Sequence, residues 1–144
     1  EDDEVEVVRQ TTAEPTKPGK PLFSAATMIR FIRLVRKMPV AEDISRYAVR
    51  LAAASRPHQD GSLDYVNEWV NWGAGLRAAQ FLVLGAKARA LLLDNTHVTV
   101  EDIQALARPV LRHRILVNYR AEAEGITTEK VIEYLLESIS PVIK

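Results

Sequence analysis

The chain has 144 residues, 47% of them hydrophobic, with 19 Lys+Arg against 19 Asp+Glu, three histidines and no cysteine. That length suits one domain or two small lobes and supports a core without staples. The composition excludes a disordered tail, disulfides, thiolate metal sites and Cys nucleophiles, and zero net charge weighs against a dedicated nucleic-acid binder.

The opening, Glu1-Asp2-Asp3-Glu4, is the opposite of the basic start of a signal peptide. No apolar run approaches the roughly 20 residues that span a bilayer, so no membrane association is expected. The absence of cysteine fits a reducing compartment, and a cytoplasmic location is expected. The chain lacks a starting Met and reads as a fragment of a longer protein, with a trimmed tag or processed precursor as the alternative.

Residues 1–12 suit one or two turns of helix. Pro15, Pro18, Gly19 and Pro21 mark a linker. Ser24 is a candidate N-cap for a helix to about Lys37, with Met28, Phe31, Ile32 and Val35 at helical spacing. A second stripe, Ile44, Tyr47, Ala48, Leu51 and Ala52, ends near Ser55, before Pro57. Residues 56–64 read as a surface loop, followed by a short amphipathic piece with Tyr65, Val66, Trp69 and Val70. Trp72-Gly73-Ala74-Gly75 is a break.

From Leu76 to about Leu93 the chain is apolar nearly all round, as expected of the buried centre of a bundle, and Asn95 is a candidate stop. Thr99-Val-Glu-Asp102 is a capping-box pattern opening a helix with Ile103, Leu106 and Ala107 inward. Pro109 either kinks this helix or begins another. Residues 110–124 look helical with a less regular stripe. Gly125 breaks them, and Thr127 caps a last helix with Val131, Ile132, Leu135, Leu136 and Ile139 inward. The expectation is an all-α helical bundle of six or seven helices. The only candidate strands are two or three residues near Val98 and near Leu116.

Most catalytic signatures are absent. Gly19-Lys20 imitates the end of a P-loop, but residue 14 is Glu, and Pro21 stands where Ser or Thr should hold Mg²⁺. His58, His97 and His113 share no ligand spacing, so no metal site is expected. The acidic pairs Glu42-Asp43 and Glu101-Asp102 sit at helix starts, where the helix dipole accounts for them. Arg30, Arg33, Arg36 and Lys37 form one basic cluster and Arg108, Arg112, His113 and Arg114 another. Each is either a solvated face or a contact for acidic or phosphate groups.

Arg77 differs from these. It falls in the first turn of a helix, where a cation is mildly unfavourable, by roughly 0.3–1 kcal/mol. The same turn offers free backbone N–H groups, and Gly73, Ala74 and Gly75 permit close approach. Positive dipole, open N–H groups and an arginine fork together describe an anion site. A salt bridge to an acidic residue elsewhere is the competing explanation.

Several ordered motifs resemble the C-terminal lid of MoxR-family AAA+ ATPases. They are Trp72-Gly-Ala-Gly-Leu-Arg-Ala78, Leu82-Val-Leu-Gly-Ala-Lys-Ala-Arg-Ala90, Val98-Thr-Val-Glu-Asp-Ile103, Pro109-Val-Leu-Arg-His-Arg-Ile115 and Ala121-Glu-Ala-Glu-Gly125. Val40–Pro57 is similar to the first lid helices, and Glu1–Thr12 to the stretch after the nucleotide-binding core. The resemblance divides the chain into a core-domain helix end with linker at 1–23 and a lid at 24–144. It implies that Arg77 is the sensor-2 arginine reaching the nucleotide phosphates, beside Gly73, Ala74 and Gly75. Where the family often has Pro before this arginine, this chain has Leu76.

The Walker A lysine, Walker B acid, sensor 1 and arginine finger match nothing here. The resemblance therefore implies no ATP hydrolysis by this chain alone, with ATP and its Mg held by a missing core domain. It implies ring-shaped oligomers, often hexamers, that act as chaperone-like ATPases on client proteins, including partners with von Willebrand A domains. The alternative function is a stand-alone helical protein- or DNA-binding module using the basic helices.

Overall fold

The computed structural model describes residues 1–14 and 19–141. Pro15 and Pro18 of the expected linker lie outside them. The chain divides into two compact units, Glu1–Arg30 and Phe31–Lys144. In the first, α1 (Asp2–Thr12) runs longer than the expected one or two turns and buries no residue. Its acidic first turn and Arg9 in its last suit the helix dipole. Further on, Ser24 Oγ accepts the Thr27 N–H at 3.1 Å, the cap expected for α2 (Ala25–Lys37). That helix buries no residue fully, although its apolar stripe is regular.

The second unit holds the core. Helix α3 (Glu42–Ala54) buries Tyr47, Ala48, Leu51 and Ala52, the stripe that its sequence predicts. A loop leads to α4 (Asp64–Trp69) and strand β1 (Val70–Trp72). Helix α5 (Leu76–Leu92) follows and packs on both α3 and α6 (Val100–Leu111). Strand β2 (Leu116–Val117), α7 (Tyr119–Ala123) and α8 (Thr128–Ser138) complete the fold. Arg50 on α3 donates to the Ser140 carbonyl at 3.0 Å, beyond the end of α8.

The all-α expectation holds, with eight helices and one two-stranded ribbon among the described residues. The ribbon pairs β1 with β2 antiparallel, Val70 opposite Val117 and Trp72 opposite Leu116, with an irregularity between the two pairs. The second strand therefore lies near Leu116 as expected, but its partner is not near Val98. Val98 is buried, and its N–H bonds the Pro39 carbonyl at 3.1 Å, joining two loops instead. The 110–124 stretch is likewise a helix end, a strand and a short helix, not one helix. Pro109 lies inside α6, two residues from its end.

Helix α5 is less enclosed than its composition suggests. Ala78, Ala79, Leu82, Ala86 and Ala90 are buried, whereas Leu76, Phe81 and Leu92 are exposed. The small residues explain the packing. A Cβ on Gly85 would lie 2.9 Å from Leu106 Cδ1, so α6 crosses close to the α5 backbone. The helix ends at Leu92, close to the expected Leu93, and its left-handed stop falls one residue before the expected Asn95. Asp94 takes the left-handed conformation at φ 56°, and the Asn95 N–H bonds the Ala90 carbonyl at 2.9 Å.

The capping box at α6 forms as its pattern predicts, with Asp102 Oδ2 accepting the Thr99 N–H at 2.9 Å. Asp102 does more than answer the dipole. Its side chain is fully buried, and its other oxygen binds Arg89 of α5. Burial pushes its pKa up, but the Thr99 N–H, Arg89 and the Thr99 hydroxyl together hold it below the ordinary carboxylate value.

Candidate functional site

The path into α5 is set by two close contacts. A Cβ on Gly73 would lie 2.2 Å from the Ser55 carbonyl oxygen and 2.6 Å from Arg56 Cα. Only glycine lets the loop before α5 lie against the loop after α3. Buried Ser55 then fastens them: its Oγ donates to the Ala52 carbonyl at 2.7 Å and accepts the Ala74 N–H at 2.8 Å. Gly73→Ala forces backbone against backbone. It should cost about 1–3 kcal/mol of stability, read by urea unfolding; an unchanged midpoint would contradict this account.

Gly75 is the N-cap of α5 and has no side chain to cap with. Its carbonyl accepts the Ala78 N–H at 2.9 Å. The N–H groups of Leu76 and Arg77 have no earlier turn to bond to. The Arg77 side chain is exposed and forms no ion pair or hydrogen bond among the described residues. The competing salt-bridge explanation thus finds no partner there.

Arg77 lines a cavity of about 470 Å³ with Trp72, Gly73, Gly75, His113 and Arg114. No Asp or Glu lines it. Arg114 arrives from the turn after α6. Its guanidinium donates to the Val110 carbonyl, touches His113 Nε2 and lies 5.1 Å from the centroid of the Phe81 ring. These contacts hold a second cation in the cavity without a carboxylate to neutralise it.

The structure sorts the expected site residues. Arg77, Gly73 and Gly75 come together at the cavity, whereas Ala74 is buried in the core with its N–H taken by Ser55. The second basic cluster splits. Arg112 and Arg108 bind Glu129 of α8 at 2.9 and 3.9 Å, while His113 and Arg114 face the cavity. In the first cluster, the Arg36 carbonyl accepts from Lys87 Nζ at 3.1 Å, so Lys87 is tied to the end of α2. Among the described residues no group of His, Asp or Glu could hold a metal, and no helix is long and apolar enough to cross a membrane.

Sequence reasoning placed Arg114 in a basic cluster but not beside Arg77, and it missed Ser55 as the fastener of the loop before α5. Trp72 had a signal: it stands directly before a Gly-Ala-Gly break, where a chain turns at the surface.

The helical unit matches known proteins. Residues 65–135 match the AAA lid domain family. The chain is 27% identical over 139 residues to Chaperone MoxR1 of Mycobacterium tuberculosis, covering 96% of this chain and 37% of that protein. It is 26% identical over 130 residues to the uncharacterized protein YeaC of Bacillus subtilis, covering 90% of this chain and 38% of that protein. A crystal structure from Cytophaga hutchinsonii, of a protein assigned provisionally as an ATPase, superposes with a TM-score of 0.78 at 30% identity. It covers 97% of this chain and 43% of that one. These similarities identify an AAA lid domain over residues 65–135 and are consistent with a lid of the MoxR family of AAA+ ATPases. The chain spans well under half the length of these relatives.

Proposed function

We propose that the chain is the nucleotide-responsive lid of a chaperone-like AAA+ ATPase, with Arg77 as its sensor-2 arginine. One observation carries the reading: an exposed, unpaired arginine at an uncapped helix start, in a cavity that holds further basic side chains and no carboxylate. Free N–H groups, the positive end of the helix dipole and a guanidinium fork favour a phosphate group over water.

The division of labour follows from the residues present. Walker motifs and the ligands of Mg²⁺ belong to a nucleotide-binding core, and this chain supplies a cation from the opposite side. ATP bound between the two draws Arg77 and the head of α5 toward its phosphates. The rigid packing of α5 on α3 and α6 passes that position to the rest of the lid. Neighbouring subunits of a ring, with a hexamer as the expected form, receive it, and client proteins are remodelled. Partners with von Willebrand A domains are the candidate clients.

The test is ATP turnover by the ATPase carrying this lid, with and without Arg77→Ala. A large loss supports the assignment; near-normal turnover sinks it.

A further inference from the structure

Trp72 is 69% exposed, although indole is normally among the more buried side chains. Its ladder partner Leu116 is itself exposed, and no aromatic ring among the described residues covers it. Strand β1 and the Gly73 contact with Ser55 hold its backbone in place. The fold thus presents a large flat apolar surface on a fixed support.

Trp72 also stands between two cavities. One is the cavity of Arg77, His113 and Arg114. The other, about 380 Å³, is lined by Arg56, His58, Gln59 and Asn71, and Trp72, Gly73 and Gly75 are common to both. Neither is lined by a carboxylate. One side therefore offers cations suited to phosphates; the other offers the amides of Gln59 and Asn71 beside Arg56, whose Nε donates to Gln59 Oε1 at 3.1 Å. An exposed indole between them completes the chemistry of a nucleotide: charged tail, π-faced base, polar base edge.

The geometry points to Trp72 as the stacking platform for the nucleobase of the nucleotide whose phosphates Arg77 meets. This rests on the phosphate reading of Arg77 and extends it from the charged end of the ligand to the base. Stacking on an aromatic ring tolerates any base, because each has a π-face. Trp72 therefore raises affinity for nucleotides in general, and preference among bases falls to Gln59 and Asn71.

The experiment measures equilibrium binding to the intact ATPase carrying this lid, using ATP and inorganic tripolyphosphate as separate probes. Trp72→Leu should raise the Kd for ATP about 10-fold, the scale of one lost base stack. It should leave tripolyphosphate binding unchanged. Trp72→Phe keeps a π-face and should stay within about two-fold of the unaltered protein for both probes. Because the indole is exposed, neither variant should lower the unfolding midpoint.

Three outcomes overturn the proposal: an unchanged ATP Kd in Trp72→Leu, an equal loss for ATP and tripolyphosphate, or a loss in Trp72→Phe as large as in Trp72→Leu. The last identifies a shape-specific contact with another part of the protein. Arg77→Ala serves as the separate arm and should weaken both probes. If it weakens neither, the phosphate reading fails, while the selective ATP loss still decides Trp72.

Discussion

Replacing Arg77 with alanine is expected to lower ATP turnover by on the order of 10³-fold, the lower end of what arginine fingers contribute in related phosphoryl transfers. The loss should fall mainly on kcat. A guanidinium that meets charge building on the transferring phosphoryl group stabilises the transition state more than the bound ground state. Arg77→Lys should recover only part of the rate, because an ammonium is a point charge and cannot grip two oxygens in a plane. The unfolding midpoint should not move in either variant, since Arg77 is exposed and has no partner among the described residues. A rate loss accompanied by an equal loss of stability would mean that Arg77 supports the fold.

The largest effect on stability is expected at Asp102. Its carboxylate is fully buried and serves three donors: the Thr99 N–H, the Thr99 hydroxyl and Arg89. Removing one partner of a buried pair costs about 3–5 kcal/mol when the other charge is left dry. Arg89 is 37% exposed, so water recovers part of its solvation and lowers that figure. The lost cap adds about 1 kcal/mol. Asp102→Ala should therefore cost about 3 kcal/mol in urea unfolding, and Asp102→Asn less, because the amide oxygen still caps.

The same residue gives a pH dependence of fixed sign. Its folded pKa lies below its unfolded value, so its contribution is complete above the unfolded carboxylate pKa of about 3.9. The contribution is lost as pH falls through the lower folded pKa. Unaltered chain and Asp102→Ala should differ most above pH 5 and converge below about pH 4. A difference that persisted undiminished at pH 2 would contradict the pairing.

Periodicity made the helices readable because their buried faces are continuous. Tyr47, Ala48, Leu51 and Ala52 repeat as a stripe and are buried as a stripe. The ribbon was less legible for a physical reason. Three residues of β1 and two of β2 are too few to show an alternating pattern, and their pairing joins positions more than forty residues apart. Asp102 illustrates a different limit. Its spacing from Thr99 announces a capping box, but nothing local announces Arg89, thirteen residues upstream on another helix. At the site, Arg77 was legible because it contradicts the helix dipole. Arg114 was legible only as one member of a basic cluster, because its place in the cavity depends on a turn, a carbonyl and the Phe81 ring.

The pairing of Trp72 with Leu116 acts as a caliper. It fastens the chain just before α5 to the chain just after the turn that carries His113 and Arg114. The backbone segments that carry the two sources of positive charge are thereby tied together by the ribbon itself. On the phosphate reading of Arg77 proposed above, an anion would enter without first ordering the backbone on either side of it, which spares part of the entropy that binding otherwise costs.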